Sequence, residues 1–218
     1  GGDITFFDPH DVPGLYDAFF ADQDKFKELY EAAERKTSIR KKKISAIELF
    51  SSFMQERKDT GRIYLQNVDH ANEHSSFKTD VAPIKQSNLC CEIDLPTKPL
   101  NDVNDPDGEI ALCTLSAINW GNFSNPQDME KACTLAVRGL DALLSYQNYP
   151  ILAAQIATEG RRPLGVGIIN LAYFLAKNDV SYSNPDALKL VDTWAQHWSY
   201  YLIKASADLA VEFGACPL

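Results

Sequence analysis

The segment Asn88-Leu89-Cys90-Cys91-Glu92 places two adjacent cysteines between an amide and a carboxylate. Its setting predicts a strand over residues 88–95. Side chains alternate between the two faces of a strand, so Asn88, Cys90 and Glu92 would share one face and the other two side chains would share the opposite face. An amide that orients a hydroxyl, a carboxylate that takes a proton and a thiol that acts as nucleophile or radical carrier would then converge. The alternative is an edge strand whose polar face meets water.

The composition around this segment is that of an ordinary globular protein. The chain has 218 residues, of which 45% are apolar and 23% are charged, so it is long enough to bury a core. A net charge of −9 argues against a general nucleic-acid surface. We find no apolar run of membrane-spanning length and no signal-peptide pattern at the start. Five cysteines at irregular spacings indicate reduced thiols in a cytoplasm rather than a secreted disulfide framework.

The pattern along the chain predicts one α/β unit with helices around a partial sheet. We expect residues 1–61 to be mainly helical, residues 62–120 to be strand-rich and to carry the active-site candidates, and residues 121–218 to be mainly helical. The predicted helices follow Pro13-Gly14, stop at Gly61, start at Asn125-Pro126 and start near Pro185. The predicted strands are 63–66, 88–95 and 109–118, the last two neighbours joined by a polar loop. A basic run over residues 40–43 is predicted to be a solvated turn, with a phosphate contact as the alternative.

Most of the remaining cysteines and the histidines are predicted to have structural rather than catalytic roles. Cys113 lies in an apolar stretch, where a cysteine is usually a small buried hydrophobe, and Cys133 falls on an apolar helix stripe. Nothing local decides the role of Cys216. His70 and His74 have a spacing that suits a metal on a helix, but the setting favours a strand end and loop with structural hydrogen bonds. His197 is predicted to be a satisfied buried histidine.

The segment from Gly160 to Gly167 contains Arg161-Arg162 and two further glycines. A phosphate cradle is conceivable there. The segment does not follow a strand as a dinucleotide fold or P-loop requires, so a close backbone approach at Gly165 and Gly167 is the preferred interpretation.

Several of these segments together resemble the large (α) catalytic subunit of class I ribonucleotide reductase. Residues 86–92, Gln-Ser-Asn-Leu-Cys-Cys-Glu, resemble that family's active-site strand. The other matching segments occur in the family's order and run from end to end of the chain: 9–17, 60–70, 108–116 and 160–167. The resemblance implies part of a ten-stranded α/β barrel with the radical cysteine on a central loop.

The resemblance also implies roles for four residues. Cys90 would become a thiyl radical and remove the 3′-hydrogen of the ribose, and Glu92 would take the 3′-hydroxyl proton. Asn88 would hydrogen-bond the sugar hydroxyls. Cys113 would be one of two thiols that supply the reducing electrons and close into a disulfide, so the resemblance replaces the buried reading of this cysteine. Cys91 and the histidines gain no role.

The resemblance further implies partners that this sequence does not contain. The substrate would be a ribonucleoside diphosphate, and the radical would come from a metal-containing small subunit. No metal or cofactor is expected on this chain itself, and neither nucleic acid nor membrane is an expected partner. The second reducing thiol, the nucleotide-effector regions and the C-terminal cysteine pair of the family are missing, so we expect a fragment that is inactive without the remaining large-subunit segments.

Two other functions remain open at this point. A non-catalytic remnant or interaction module could retain the scaffold, although it need not preserve Asn88, Cys90, Glu92 and Cys113. An independent thiol enzyme could use Cys90 as a nucleophile, but it lacks a positioned histidine base.

Overall fold

The computed structural model describes residues 2–218, and the chain divides into two compact units, Gly1–Thr97 and Lys98–Leu218. The first unit contains β1 (Asp3–Phe7), α1 (Leu15–Ala21), α2 (Gln23–Arg35), β2 (Lys41–Ser45), α3 (Ala46–Thr60) and α4 (Val68–Glu73). The second contains β3 (Thr114–Asn119), α5 (Glu130–Tyr146), α6 (Leu152–Arg161), β4 (Leu164–Ile169), α7 (Leu171–Lys177) and α8 (Pro185–Phe213). The mixture of helices and a partial sheet agrees with the predicted α/β class.

The sheet of the first unit corrects the prediction for the basic run. Lys41–Ser45 is a strand, β2, which pairs antiparallel with β1 from Asp3↔Ser45 to Phe7↔Lys41. Lys41 Nζ donates to the carbonyl oxygens of the α2 C-terminus and the residue after it, at Ala33 (3.2 Å), Glu34 (2.7 Å) and Lys36 (2.7 Å). A lysine at a helix C-terminus satisfies carbonyls that have no partner within the helix. Residues 41–43 of the run are therefore part of a strand, and Lys41 also caps a helix.

Helix boundaries in the first unit follow local capping residues. The predicted helix after Pro13-Gly14 is divided at Asp22, whose side chain accepts from the backbone N–H of Lys25 at 3.0 Å and starts α2. The predicted stop of α3 is confirmed, because Gly61 adopts φ 68°, a conformation that glycine takes without steric cost. Residues 63–66, predicted to be a strand, belong to no strand.

The sheet of the second unit is a parallel pair, with β3 and β4 in register from Thr114↔Leu164 to Asn119↔Ile169. The predicted strand over residues 109–118 is correct only from Thr114 onward. Upstream of it, Glu109 forms an isolated antiparallel bridge with Lys98, and Ile110 N–H donates to the Ala153 carbonyl at 3.1 Å. These separate partners keep residues 109–113 out of the ladder.

The core of the second unit lies between the parallel pair and the apolar sides of its helices. It is centred on Trp120, Phe174 and Trp194, with Met129 and Cys133 beside them. The predicted stripe of α5 is confirmed, since Cys133, Val137, Leu140 and Leu144 are buried. The predicted start of α8 is also confirmed: Asn184 accepts from Asp186 N–H at 2.9 Å, and Pro185 occupies the first turn. Across residues 2–218, no helix is both long enough and apolar enough to cross a membrane.

Candidate active site

The central cysteines lie on a tight turn and not on a strand, which corrects the shared-face prediction for residues 88–95. Ser87 and Asp94 form one antiparallel bridge, and the chain between them reverses direction. Within this turn Asn88 N–H donates to the Ile93 carbonyl at 3.2 Å, and Cys91 N–H donates to the Asn88 carbonyl at 3.1 Å. Strand alternation therefore cannot be used to assign the direction of these side chains. We call residues 87–94 the cysteine turn.

Asn88 organises the cysteine turn through its side-chain amide. Its Oδ1 accepts from the backbone N–H groups of Glu92 (3.1 Å) and Ile93 (3.0 Å). Its Nδ2 donates to Glu92 Oε1 at 2.5 Å. An asparagine that bonds nearby backbone groups competes with a strand ladder and favours a turn. The predicted convergence of amide and carboxylate thus occurs, but through a turn.

The two adjacent cysteines occupy different positions on this turn. Cys90 is exposed, whereas Cys91 is half-buried and adopts φ 59°. Ser87 Oγ donates to Cys91 Sγ at 3.2 Å. The left-handed conformation at Cys91 is uncommon for a residue with a side chain, and it reverses the chain immediately after Cys90.

A cavity of about 480 Å³ lies beside the cysteine turn within the first unit. Its polar lining includes Gln66, His70, His74, Cys91, Glu92 and Asp94. Gln66 Nε2 donates to Asp94 Oδ1 at 2.9 Å and so ties one wall to the turn. The volume is in the range of small-molecule sites, and the carboxylate of Glu92 borders it. Cys91 and Glu92 both line the cavity, contrary to the strand prediction, which puts them on opposite faces.

The histidines at this cavity lie on and after a helix rather than on a strand end. His70 is in α4 and His74 is the residue that ends it, with ring centroids 6.3 Å apart. Among the residues that the structure describes, no three His, Cys, Asp or Glu side chains are grouped as metal ligands. His197, predicted to be buried, is half-buried, and its Nδ1 lies 2.9 Å from the Thr193 carbonyl oxygen.

The other three cysteines have distinct environments in the second unit. Cys113 is exposed and immediately precedes β3, so the interpretation of this cysteine as a buried residue of an apolar strand is wrong. Cys133 is fully buried in the core, as predicted, and burial raises the pKa of its thiol to about 11. Cys216 is exposed, and its Sγ lies 3.6 Å from the Leu218 carbonyl oxygen.

The two arginines after Gly160 are engaged by carboxylates of the second unit. Arg161 pairs with Glu109, and Arg162 pairs with Asp141, which leaves neither guanidinium for a phosphate cradle. The predicted close approach is confirmed at Gly165, where an added Cβ would lie 2.5 Å from Leu115 Cδ2. It is wrong at Gly167, where the nearest atom would be 3.9 Å away.

Sequence reasoning missed several residues that hold the candidate residues of each unit in place. Ser87, Gln66 and Asp94 shape the cysteine turn, and Glu109 anchors the segment before Cys113. The Asx-type bonding capacity of Asn88 was a usable signal for the turn. The partners of Glu109 are 11 and 52 residues away and leave no local pattern in the sequence.

Comparison with known proteins identifies the family. The family described as "Ribonucleotide reductase, barrel domain" matches residues 1–218. The chain belongs to the ribonucleotide reductase family. It is 61% identical to "Ribonucleoside-diphosphate reductase 1 subunit alpha" of Salmonella typhimurium over 217 residues, which is 100% of this chain and 28% of that subunit. It is 58% identical to "Ribonucleoside-diphosphate reductase subunit alpha" of Haemophilus influenzae over 216 residues, which is 99% of this chain and 29% of that subunit.

A solved ribonucleotide reductase also shares the fold. The α subunit of the Actinobacillus ureae class Id enzyme matches with a TM-score of 0.69 and 27% identity. The match covers 78% of this chain and 33% of that subunit. The chain therefore spans somewhat less than a third of the curated subunits described above and has the fold of the corresponding part of the reductase barrel.

Proposed function

We propose that this chain is part of the catalytic subunit of a ribonucleoside-diphosphate reductase and carries its substrate-activating residues. The observation that supports this most directly is the cysteine turn, where the Asn88 amide bonds the Glu92 carboxylate and the exposed Cys90 lies between them. The pairing places a hydrogen-bond donor and a proton acceptor together on the same turn that carries this thiol. That combination suits hydrogen abstraction from a sugar coupled to proton removal.

In the proposed reaction each residue has a separate task. The Cys90 sulfur, as a thiyl radical, takes the 3′-hydrogen of the ribose, and Glu92 accepts the 3′-hydroxyl proton. The 2′-hydroxyl then leaves as water. Cys113 and a second thiol from elsewhere in the complete subunit supply two electrons and two protons and form a disulfide. Cys90 regains the radical when the 3′-hydrogen returns, so the net change is one ribonucleotide reduced for one disulfide formed.

The proposal includes partners that lie outside this chain. A metal-containing small subunit would supply the radical, and the remaining segments of the large subunit would complete the barrel and bind nucleotide effectors. The expected substrate is a ribonucleoside diphosphate, with neither nucleic acid nor membrane as a partner. Reduced thiols on an acidic surface suit a cytoplasmic location.

A chimeric subunit tests the function directly. We would replace the matching segment of the Salmonella typhimurium subunit with this chain and measure ribonucleoside-diphosphate reduction with that organism's small subunit. Activity is expected in the chimera, and Cys90→Ser is expected to abolish it because serine cannot carry the radical at this position. Cys216→Ser, at an exposed thiol with no assigned role, is the matched control.

Three outcomes would contradict the proposal. Reduction that survives Cys90→Ser would remove Cys90 from the mechanism. An inactive chimera would favour the non-catalytic remnant, provided that a control chimera with the same junctions and the Haemophilus influenzae segment is active. Rapid labelling of Cys90 by iodoacetamide near neutral pH would instead favour a nucleophilic thiol enzyme, since a radical cysteine needs no activated thiolate.

A further inference from the structure

Glu109 is a buried carboxylate held by two cations in the second unit. Its side chain is 1% exposed, and Arg161 approaches it with Nε at 2.7 Å from Oε2 and Nη2 at 3.2 Å from Oε1. Lys98 Nζ lies 2.6 Å from Oε1. A two-pronged arginine contact fixes the direction of a carboxylate as well as its position. These ion pairs therefore fix the position of Glu109 relative to Arg161 and Lys98.

The backbone at Glu109 is also bonded on both sides. Glu109 N–H donates to the Lys98 carbonyl at 3.2 Å, and Lys98 N–H donates to the Glu109 carbonyl at 3.0 Å. The next residue, Ile110, donates to the Ala153 carbonyl at 3.1 Å. Glu109 is thus held in place both by its backbone hydrogen bonds and by its side-chain ion pairs.

Cys113 lies between two residues, Glu109 and Thr114, that are both bonded to the short segment 161–164. Four residues before it, Glu109 is bonded to Arg161. One residue after it, Thr114 pairs with Leu164 as the first position of the β3–β4 ladder. The stretch 109–114 is therefore spanned by residues 161–164, with the exposed thiol of Cys113 inside the span.

The spanning segment is itself fixed to α5 and α6. Arg162 adopts φ 46°, and its N–H donates to the Thr158 carbonyl at 2.9 Å. Its guanidinium donates to Asp141 Oδ1 at 2.6 Å and to the Asp141 carbonyl at 2.7 Å. Arg161 is itself the last residue of α6, and these bonds hold the next residue to both helices. The position of Glu109 is therefore set by the helices of this unit.

We propose that the Glu109–Arg161 ion pair is a positioning device for Cys113, which fixes the thiol that supplies reducing electrons. The inference rests on the proposed function and deepens it. Neither Glu109 nor Arg161 reacts. Cys113 and its partner thiol each give one electron and one proton, and these two thiols form a disulfide as the 2′-hydroxyl leaves as water. Disulfide formation requires the two sulfurs to meet in a narrow geometry, so a loosened Cys113 would slow this step.

The test uses the chimeric subunit with Arg161→Met, Arg161→Lys and Glu109→Gln. Arg161→Met is expected to lower kcat about 10- to 100-fold while the KM for the nucleotide changes little, because the thiol is misplaced and the substrate contacts remain. Arg161→Lys keeps the charge and is expected to restore part of kcat. Arg138→Met is the matched control, since Arg138 forms an exposed pair with Glu212 in the same unit.

A second readout separates positioning from general destabilisation. After a single turnover of pre-reduced enzyme, differential alkylation and mass spectrometry give the fraction of Cys113 in a disulfide. We expect that fraction to fall in Arg161→Met at a temperature where near-ultraviolet circular dichroism shows a folded protein. Unchanged kcat and an unchanged disulfide fraction in the folded variant would overturn the inference.

The two proposals can fail separately. If the unmutated chimera reduces no nucleotide while the Haemophilus influenzae control chimera is active, the proposed function fails. The alkylation rate of Cys113 relative to Cys216 then tests the ion pair alone. A several-fold faster relative rate in Arg161→Met would support a role in holding Cys113. Equal rates in Arg161→Met and the unmutated chimera would overturn it.

Discussion

At the scale of single residues, Asn88 and Cys91 determine how Cys90 is presented. Both polar atoms of the Asn88 amide form hydrogen bonds within the cysteine turn. The oxygen accepts from two backbone N–H groups, and the nitrogen donates to Glu92. A substrate hydroxyl that bonds Asn88 would have to share or replace the contact to Glu92. Cys91, at φ 59° with a bond from Ser87, reverses the chain beside the exposed thiol of Cys90. The second cysteine thus shapes the turn, while the first is exposed on it.

The buried carboxylate of Glu109 gives a prediction for acid stability. Burial would raise its pKa, but hydrogen bonds from Arg161 and Lys98 outweigh this, and the pKa lies below the ordinary value of 4.5. A carboxyl whose folded-state pKa is depressed stabilises the fold above its unfolded pKa and loses that contribution as pH falls through the folded value. We therefore expect Glu109→Gln to reduce the free energy of unfolding near neutral pH and to flatten its decline below about pH 4.5.

Urea unfolding of the chimeric subunit at a series of pH values would measure this effect. Removing one partner of a buried ion pair costs about 3–5 kcal/mol, so Glu109→Gln should differ clearly at neutral pH from Glu212→Gln. Glu212 is the matched control because its ion pair with Arg138 is exposed. Parallel pH profiles of wild type and Glu109→Gln would contradict the prediction.

At the scale of elements, the sequence predicts the helices whose apolar stripes and capping residues lie within one stretch of chain. The helices α3, α5 and α8 combine an apolar stripe with caps such as Gly61 and Asn184, all within one stretch of chain. The cysteine turn has the residue types of a strand, but Asn88 satisfies the backbone from within the turn and no long ladder forms. Register and remote ion pairs depend on contacts over tens of residues. The candidate residues could therefore be named from the sequence, while their geometry could not.

The aromatic cluster of the second unit gives a prediction at this scale. Phe174 in α7 is 0% exposed, and its ring centroid lies 5.4 Å from that of Trp120 and 4.6 Å from that of Trp194 in α8. Phe174→Ala should cost about 3–5 kcal/mol of unfolding free energy, because it removes a large apolar side chain and leaves a cavity. Phe213→Ala, at a phenylalanine that is 72% exposed, should change it by about 0.5 kcal/mol or less. Similar losses of unfolding free energy in Phe174→Ala and Phe213→Ala, measured by thermal or urea unfolding, would contradict the assignment of Phe174 to the core.

At the scale of the whole molecule, residues 2–218 contain two separate two-stranded sheets and no closed barrel. The family matches over the full length of the chain, yet the chain covers only 28–29% of the Salmonella and Haemophilus subunits. A barrel protects its strand edges by closure, whereas each strand here has an edge without a strand partner among the described residues. The fold of the family thus predicts that these edges and the apolar side chains beside them are covered in a complete subunit.

We therefore expect this chain, when produced alone, to self-associate or to be only marginally stable. The outward-facing apolar side chains support this, since Leu115 and Ile169 on β3 and β4 and Phe50 on α3 are all more than half exposed. Burial of such side chains and pairing of open strand edges both favour association. Light scattering over a wide range of concentrations should show a mass that rises with concentration, and unfolding should be broad. A constant monomer mass with sharp cooperative unfolding would mean that the two units protect their own edges.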